Sequence, residues 1–355
     1  MKVNKKIKKL EDKKWKEFKI GDLFNVSGTL TTHPSNLEIG GKTPRITCSS
    51  SQNGLDNVYL NKATERGKVL TVDSAAVGYI SYQEKDFIAT DHVEKIESKL
   101  KPINRNTGLS LVTCMTKAIL NKFNYGYKFS QTRIKKQLIM LPINQNLEPD
   151  YEYMEQYTNS ITETKLIKYK SYVKKQLEKI EFKEVEKLED KKWKEFFIEK
   201  LFNVRIGKNV DGNKINKQGG KIPYVTRKES RNGIDGFISY NQDFLTVDYP
   251  VITIGNETAE PFIQKYPFFT GTKVNILKPK QKVSEYTLKF IATSLKAHKS
   301  KYSYSFTINS TRLKRQKIML PVNQNLEPDY EYMEQYIKNI TYKKLSNYLN
   351  YKKLL

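Results

Sequence analysis

The chain has 355 residues, and its 63 Lys and Arg against 38 Asp and Glu give it a formal net charge of +25. Its hydrophobic content of 38% and aromatic content of 12% exclude a disordered chain, and its length predicts two or three folded domains. The excess of positive charge favours a polyanionic partner, most often nucleic acid, over a lysine-rich composition that has no such partner.

Cysteine content and hydropathy exclude two further classes of protein. Cys48 and Cys114 are the only cysteines in the sequence, so it has neither a disulfide framework nor a zinc-ligand spacing. No segment approaches the roughly 20 apolar residues that a membrane-spanning helix needs. We therefore expect a cytoplasmic protein without a membrane partner.

One long internal repeat organises the chain. The segment IMLPINQNLEPDYEYMEQY at 139–157 is repeated at 318–336 with a single change, from Ile143 to Val322. The segment KLEDKKWKEF at 9–18 is likewise repeated at 187–196. Half the chain is repeated, which is the size of a whole domain rather than a solenoid unit of roughly 20 to 50 residues.

The predicted elements begin with a lysine-rich helical tail at 1–14 and continue with a β-rich domain at 15–142. Asn53-Gly54 predicts a turn inside this domain, and an apolar helix is predicted at 110–123. A second β-rich domain at 193–321 repeats the pattern, with Asn232-Gly233 as its turn and a helix at 283–298. In the first domain the predicted strands lie at 45–47, 58–60, 69–72, 78–81, 87–90 and 93–96.

A helix is predicted after each β-rich domain, in a central segment at 143–192 and a C-terminal segment at 322–355. Pro142 and Pro321 should end the preceding strands, and Pro149 and Pro328 stand where helices begin. The apolar spacing of the first helix runs from 150 to 187, about 55 Å at 1.5 Å per residue. Both helices carry an apolar stripe along one face, and two such helices in one chain predict an antiparallel coiled coil. The predicted fold class is α+β, with two β-rich globular domains separated by two long helices in a pseudo-twofold repeat.

The sequence shows no catalytic or metal site. Gly41-Lys42-Thr43 is similar to a phosphate loop, but that motif needs a glycine where this chain has Asn36. The three histidines, His33, His92 and His298, are too scattered for a catalytic triad or a metal site. Nuclease and adenine-methyltransferase motifs are also absent from the sequence, so we expect a protein that is not an enzyme.

The order of the motifs resembles a known family. Each β-rich domain closes on a Thr-Arg motif followed by Met-Leu-Pro: Thr132-Arg133-Ile134-Lys135-Lys136 precedes Met140, and Thr311-Arg312-Leu313-Lys314-Arg315 precedes Met319. Segments such as WKEFKIGDLF and VGYISYQEKDFIATDHV also look like family segments. Over essentially the whole chain, the sequence resembles the DNA specificity subunit of type I restriction-modification systems.

This resemblance implies two target recognition domains, each of which reads half of a bipartite, asymmetric site in double-stranded DNA. The two helices would act as a ruler between the domains and as docking sites for two methyltransferase (modification) subunits, with restriction/motor subunits as further candidate partners. The resemblance implies no cofactor in this chain, since S-adenosylmethionine, ATP and Mg would belong to the partner subunits.

Polar residues in loops beside the predicted strands are candidates for base contacts. Arg can bind guanine, and Asn or Gln can bind adenine, through two hydrogen bonds in the major groove. The alternative for each of them is an ordinary solvated loop residue. The candidates are Arg45, Thr47, Ser50, Gln52, Asn53 and His92 in the first domain and Tyr224, Thr226, Arg227, Arg231, Asn232 and Lys273 in the second.

A second set of cations occurs at matching positions in both repeats, which suits contacts to DNA phosphates because phosphates look alike at every site. The alternative is that Thr132 and Arg133 buttress the scaffold. This set comprises Arg133, Lys135, Lys136, Arg312, Lys314 and Arg315.

Two other functions stay open at this point. The chain could be the recognition part of a fused restriction-methylation enzyme, in which case it would bind S-adenosylmethionine. It could also be a general basic nucleic-acid-binding scaffold, in which case it would show no preference between DNA sequences.

Overall fold

The computed structural model describes residues 7–75, 78–239 and 242–351. The chain divides into two compact units, Met1–Tyr169 and Lys170–Leu355. Each unit contains one β-rich domain with the same order of strands and helices.

The first domain is built from three small sheets. An antiparallel sheet has the order β2-β8-β5-β6, a second sheet has the order β4-β3-β7 with β3 parallel to β7, and β1 pairs with β9. The elements are β1 Trp15–Lys19, α1 Ile20–Leu23, β2 Phe24–Gly28, β3 Ile39–Ile46, β4 Leu55–Tyr59, β5 Val69–Asp73, β6 Ile80–Gln83, β7 Ile88–Ala89, β8 Val93–Ser98, α2 Arg105–Ile119, α3 Gln131–Lys136, β9 Leu138–Pro142 and α4 Tyr151–Leu177.

Helix α2 covers the larger sheet of the first domain with one apolar face. Leu111, Met115 and Ile119 recur every four residues along α2 and are buried in the core. The helix begins where the Asn104 side chain accepts a hydrogen bond from the Thr107 backbone N–H at 2.9 Å. The predicted helix was therefore correct in kind and began five residues too late.

The second domain repeats this topology. Its sheets have the orders β11-β17-β14-β15, β13-β12-β16 and β10-β18. The elements are β10 Trp193–Phe197, α5 Ile198–Leu201, β11 Phe202–Ile206, β12 Ile222–Val225, β13 Ile234–Ile238, β14 Val251–Gly255, β15 Pro261–Gln264, β16 Phe269–Thr270, β17 Val274–Pro279, α6 Glu285–Lys296, α7 Ser310–Arg315, β18 Lys317–Pro321 and α8 Tyr330–Tyr351.

The starts of α4 and α8 agree with the sequence pattern. Strands β9 and β18 end at Pro142 and Pro321, as predicted. The Asp150 carboxylate accepts the Tyr153 backbone N–H at 2.9 Å, and Asp329 accepts that of Tyr332 at 3.0 Å. Both helices are therefore capped at the N-terminus by an aspartate, which also favours the positive end of the helix dipole.

The structure corrects the end of α4. The helix was predicted to continue to 187, but it ends at Leu177, so its length is about 40 Å at 1.5 Å per residue. After a last turn that closes at Ile180, the chain runs beside α8 in the second unit. There the Asn339 amide donates to the Lys183 carbonyl at 2.5 Å and accepts the Lys183 N–H at 3.2 Å.

The predicted N-terminal helix is also corrected. Residues 1–6 lie outside the described part of the chain, and the following residues form only one 3-10 turn, Leu10–Asp12. Lys13 pairs with Asp150 at 2.5 Å, and the Tyr153 hydroxyl donates to the Lys8 carbonyl at 3.0 Å. This segment is therefore held against the start of α4 by side-chain contacts rather than by a helix of its own.

The two domains differ in how their helix packs beside the β1-β9 or β10-β18 pair. In the second domain Phe290 of α6 is buried, stacks on Trp193 at 6.0 Å and meets Tyr336 edge-on at 5.8 Å. In the first domain the matching residue of α2 is Ser110, whose hydroxyl is 2.6 Å from the Thr158 hydroxyl. The smaller side chain leaves a groove of about 950 Å³ between α2, the strand pair and α4.

Candidate nucleic-acid interface

Three loops meet at one end of the first domain, at 47–54, 73–75 and 90–92, and we name this surface the first tip. The Cys48 thiol donates to the carbonyls of Asp91 at 3.5 Å and His92 at 3.3 Å. The Ser74 hydroxyl also donates to the His92 carbonyl, at 2.9 Å. Burial, with Asp73 and Asp91 nearby, raises the pKa of the Cys48 thiol to about 12, so the thiol stays protonated as a donor.

The matching loops of the second domain, at 226–233, 255–260 and 271–273, form the second tip. The Arg227 guanidinium donates to the Glu257 carboxylate, and the Lys273 ammonium lies 3.8 Å from the other oxygen of that carboxylate. Beside this cluster is a polar cleft of about 480 Å³, lined in part by Thr226, Lys228 and Asp235. Hydrogen bonds from Lys217 and Lys228 lower the pKa of Asp235, which keeps its carboxylate ionised.

The scaffold beneath the two tips is the same. The side-chain amide of Asn53 donates to the Tyr82 carbonyl at 2.9 Å, and the backbone carbonyl of Asn53 accepts from the Gln83 side chain at 3.1 Å. Asn232 makes the matching bonds to Ile263 at 3.0 Å and from Gln264 at 3.1 Å. Both asparagines have a left-handed backbone, with φ of 59° and 56°, which Asn tolerates better than most residues. The predicted turns are present, and both amides hold the turn rather than point freely outward.

Five other predicted base-contact residues are exposed at the tips. Gln52 and Arg231 occupy the same turn position, with φ of 49° and 52°, and His92 and Lys273 occupy another, with φ of 59° and 57°. Ser50 is also exposed. The structure therefore places candidates from both domains on matching surfaces.

The two threonines of the candidate set, Thr47 and Thr226, are partly buried. Their backbone N–H groups both donate to the glycine carbonyl of the turn, at 2.8 Å. They join the turn to the end of β3 or β12, and their main role in this geometry is to shape the loop.

Two of the predicted base-contact residues lie below the surface, which corrects their placement in loops. Arg45 on β3 is 6% exposed and pairs with Asp56 at 2.8 Å, while its matching residue Tyr224 on β12 is 3% exposed and donates to the Val210 carbonyl. Both residues lie on the middle strand of a three-stranded sheet, and Arg45 also donates to the Thr32 carbonyl at 3.2 Å. Neither belongs to the exposed tip.

The arginines of the repeated Thr-Arg motif hold the loop that precedes them. Arg133 donates to the Lys128 carbonyl at 2.7 Å and stacks over the Tyr127 ring at 3.9 Å. Arg312 donates to the Thr307 carbonyl at 2.7 Å and stacks over Phe306 at 4.1 Å. The geometry therefore agrees with the buttressing alternative for both arginines.

The remaining cations of the same motif are available to a partner. They lie at the C-terminal ends of α3 and α7 and are exposed. Within residues 7–75, 78–239 and 242–351, none of the four makes an ion pair or a side-chain hydrogen bond. These residues are Lys135, Lys136, Lys314 and Arg315.

An exposed aromatic loop that was not predicted from the sequence precedes each Thr-Arg motif, at 124–130 and 303–309. Tyr125 is 79% exposed and its matching residue Tyr304 is 85% exposed. The Ile308 N–H donates to the Asn256 carbonyl at 2.8 Å, which ties the second of these loops to the second tip. The signal was present, because aromatic-x-aromatic stands shortly before Thr-Arg in both halves. Glu257 was missed as well, since the first domain has no acidic residue at the matching position.

The described ranges contain neither a cluster of metal-ligand side chains nor a candidate membrane helix. No group of three or more His, Cys, Asp or Glu side chains in those ranges could hold a metal ion. Within the same part of the chain, none of the helices has the length and apolar content needed to cross a membrane.

Both halves of the chain match the family model for the type I restriction modification DNA specificity domain, over residues 12–171 and 190–350. The chain belongs to this family. Over 150 residues it is also 48% identical to the Type II restriction enzyme BgcI specificity subunit S.BcgI of Heyndrickxia coagulans. That match covers 42% of this chain and 44% of the relative, so the chain spans less than half the length of the relative.

A solved structure agrees with the fold. The crystal structure of a Type-I restriction-modification system S subunit from M. genitalium aligns with a TM-score of 0.52 at 15% sequence identity. The alignment covers 99% of this chain and 93% of that chain. At this identity the likeness shows the fold alone.

These comparisons confirm several predictions. The chain has two DNA specificity domains of restriction-modification systems, and specificity subunits of this kind are non-catalytic. The α+β class with two repeated β-rich domains is also confirmed. The exact domain boundaries, the contact residues and the antiparallel pairing of the two long helices stay predictions.

Proposed function

We propose that the two domains read different halves of a bipartite, asymmetric site in double-stranded DNA, with one tip facing each half. The observation that carries this proposal is the contrast between scaffold and tip. Asn53 and Asn232 make the same bonds in both domains, whereas the partly exposed residue after Thr47 or Thr226 is Cys48 in one domain and Arg227 in the other. Two similar platforms with different surface chemistry suit two different sequences.

The free cations of α3 and α7 would bind DNA phosphates next to each tip. Their side chains are exposed and unpaired in the described part of the chain, and both repeats keep them although the tips differ. A contact that is retained at two different half-sites suits the phosphate backbone, which carries no sequence information. The chain's net charge of +25 supports the same partner.

The long helices would set the spacing between half-sites and dock two methyltransferase subunits. Helix α4 continues beyond the first domain, and its residues 161–165 and 167–169 are exposed. The sequences at the start of α4 and α8 are nearly identical, so two copies of one partner could bind the same surface twice. A restriction/motor subunit would join through the assembled complex. S-adenosylmethionine, ATP and Mg would be bound by those partners.

Methylation mapping tests this proposal. The full chain mixed with its methyltransferase subunit should methylate adenines in one bipartite motif whose halves differ. The methyltransferase subunit alone should leave that motif unmethylated, and the purified chain alone should neither methylate nor cut DNA. A palindromic motif, or turnover by the rigorously purified chain, would contradict the proposal.

A further inference from the structure

Arg227 lies at the position where the two tips differ most in chemistry. Three exposed or partly exposed positions of the second tip are occupied by Arg227, Glu257 and Lys273. The matching residues of the first tip follow from equivalent backbone hydrogen bonds. Thr47 matches Thr226, so Cys48 matches Arg227. The N–H groups of Ser74 and Asn256 donate to the carbonyls of His92 and Lys273, respectively, so Ala75 matches Glu257.

The backbone of Gly255 passes close to Arg227. A Cβ at Gly255 would come within 2.8 Å of the Arg227 Cα and 2.9 Å of its Cβ, so the close approach of the two segments requires glycine. The matching residue at the end of β5 in the first domain is Asp73, which lies beside the small Cys48 side chain. The first domain therefore has Cys48 and Asp73 at the positions that Arg227 and Gly255 occupy in the second.

Glu257 holds Arg227 in one orientation. Its side chain is only 16% exposed, and one carboxylate oxygen accepts the Nη1 of Arg227 while the other faces Lys273. Arg227 itself is 37% exposed. Within the described residues its Nε and Nη2 make no hydrogen bond, so one edge of the guanidinium fork remains open to a ligand.

We propose that Arg227, oriented by Glu257, reads a guanine in the half-site of the second domain, and that the first domain makes no matching contact. This inference rests on the proposed function. The open edge of a guanidinium fits the O6 and N7 acceptors of guanine in the major groove, which is the commonest specific contact of arginine. A phosphate contact would be useful at both half-sites, yet the first domain has Cys48 here.

The first test replaces the fork and keeps the charge. Arg227→Lys, in the full chain with its methyltransferase subunit, should lower discrimination at one G·C pair of one half-site by roughly ten- to a hundredfold. The other half-site should be unchanged. Arg205→Lys is the matched control, since Arg205 also pairs with a carboxylate in the second domain, Asp248 at 3.2 Å, but stands outside the tip. Motif discrimination should be unaltered in this control.

The role of Glu257 as a positioning residue is tested by a double variant. Glu257→Gln should relax the same G·C pair because the amide cannot hold the guanidinium as firmly as the carboxylate. The variant with both Glu257→Gln and Arg227→Lys should discriminate no worse than Arg227→Lys alone. Losses that add fully, or relaxation at a different base pair, would overturn the positioning role.

A base analogue tests the contact without any change in the protein, and so it does not depend on the folding of a variant. Duplexes that carry 7-deazaguanine at each guanine of the second half-site, one at a time, lack the N7 acceptor. One substitution should weaken binding of the wild-type complex by about tenfold. It should have no effect on the Arg227→Lys complex. Equal binding of the wild-type complex to every substituted duplex would overturn the inference.

The inference and the proposed function fail in different ways. If the wild-type complex methylates no bipartite motif, the proposed function fails. If it does so and Arg227→Lys weakens binding to all sequences equally, Arg227 contacts phosphate and only the inference is overturned. Relaxation of both half-sites at once would also overturn it.

Discussion

The two recognition domains are alike where they fold and unlike where they are exposed. In each tip the side-chain amide of the turn asparagine donates to a neighbouring strand and so fixes the turn. The arginine of the Thr-Arg motif fixes each aromatic loop. By contrast, a thiol and a histidine on one tip are replaced by a salt-bridged arginine and a lysine on the other. Local hydrogen bonds can therefore keep one scaffold while its surface chemistry changes.

The largest expected effect concerns the helices that follow the two domains, which differ in length. Duplicating residues 162–165 within α4 adds about one turn, or about 6 Å, and nearly preserves the register of the helix faces. Since DNA rises about 3.4 Å per base pair along each strand, the spacer between unchanged half-sites should lengthen by one or two base pairs. Methylation mapping reads the spacer directly.

A two-residue duplication at the same place is the control for that experiment. It rotates the following part of α4 by about 200° and should destabilise the protein instead of lengthening the spacer. An active four-residue variant with the original spacer would show that α4 does not set the distance.

The next effect uses the contrast between Phe290 and Ser110. Phe290→Ala removes a buried ring between Trp193 and Tyr336 and should lower the free energy of unfolding of the second domain by about 3–5 kcal/mol. Ser110→Ala removes one hydroxyl contact to Thr158 and should cost about 1 kcal/mol in the first domain.

Denaturant unfolding followed by tryptophan fluorescence can separate the two domains, because the chain has only two tryptophans, Trp15 and Trp193. Trp193→Phe leaves a probe in the first domain and Trp15→Phe leaves one in the second. Equal losses of stability for Phe290→Ala and Ser110→Ala, each measured with its own tryptophan probe, would contradict the contrast in packing.

A smaller effect should be the same in both domains. Asn53→Ala and Asn232→Ala each lose the amide bonds to the neighbouring strand and place alanine at a positive φ, for a combined cost of about 2 kcal/mol. Glycine at either position should cost only about half as much, since it accepts the backbone conformation. Thermal unfolding of the four variants tests this, and a difference between the domains larger than that between Ala and Gly would contradict a shared scaffold.

The smallest effect in free energy concerns phosphate contacts. The double variant of Lys135→Ala and Lys136→Ala should lower the slope of log K against log salt by about 1.8, or about 0.9 for each contact, on specific and non-specific DNA alike. Arg133→Ala is the comparison variant: it should lower stability and change the slope less, because its guanidinium is already bonded to Lys128 and stacked on Tyr127. If Arg133→Ala has the larger slope effect, the assignment of these cations is reversed.

The sequence predicted features whose causes are local. The ends of β9 and β18 and the starts of α4 and α8 follow from prolines and capping aspartates, which act within a few residues. The predicted end of α4 was wrong because Lys- and Glu-rich sequence favours a helix, whereas contacts to Asn339, more than 150 residues away, hold that segment in a non-helical path.

The candidate site was less predictable than the fold. Burial of Arg45 and Tyr224 depends on the segments that pack against them, at Thr32 and Val210, and the sequence pattern does not define that packing. The partnership of Arg227 with Glu257 joins two loops that are 30 residues apart. Among the features that the sequence analysis missed, only the aromatic loops had a usable sequence signal, which is the repeated aromatic-x-aromatic pattern before Thr-Arg.

The most direct test of the central claim exchanges the two domains, residues 15–142 and 193–321, within the full chain. Methylated adenines would then be mapped with the same methyltransferase subunit, and the unexchanged chain would serve as the control. The account predicts the same two half-sites in the opposite order, because each domain takes its tip with it. A motif unchanged by the exchange would contradict the claim that each domain reads its own half of the site.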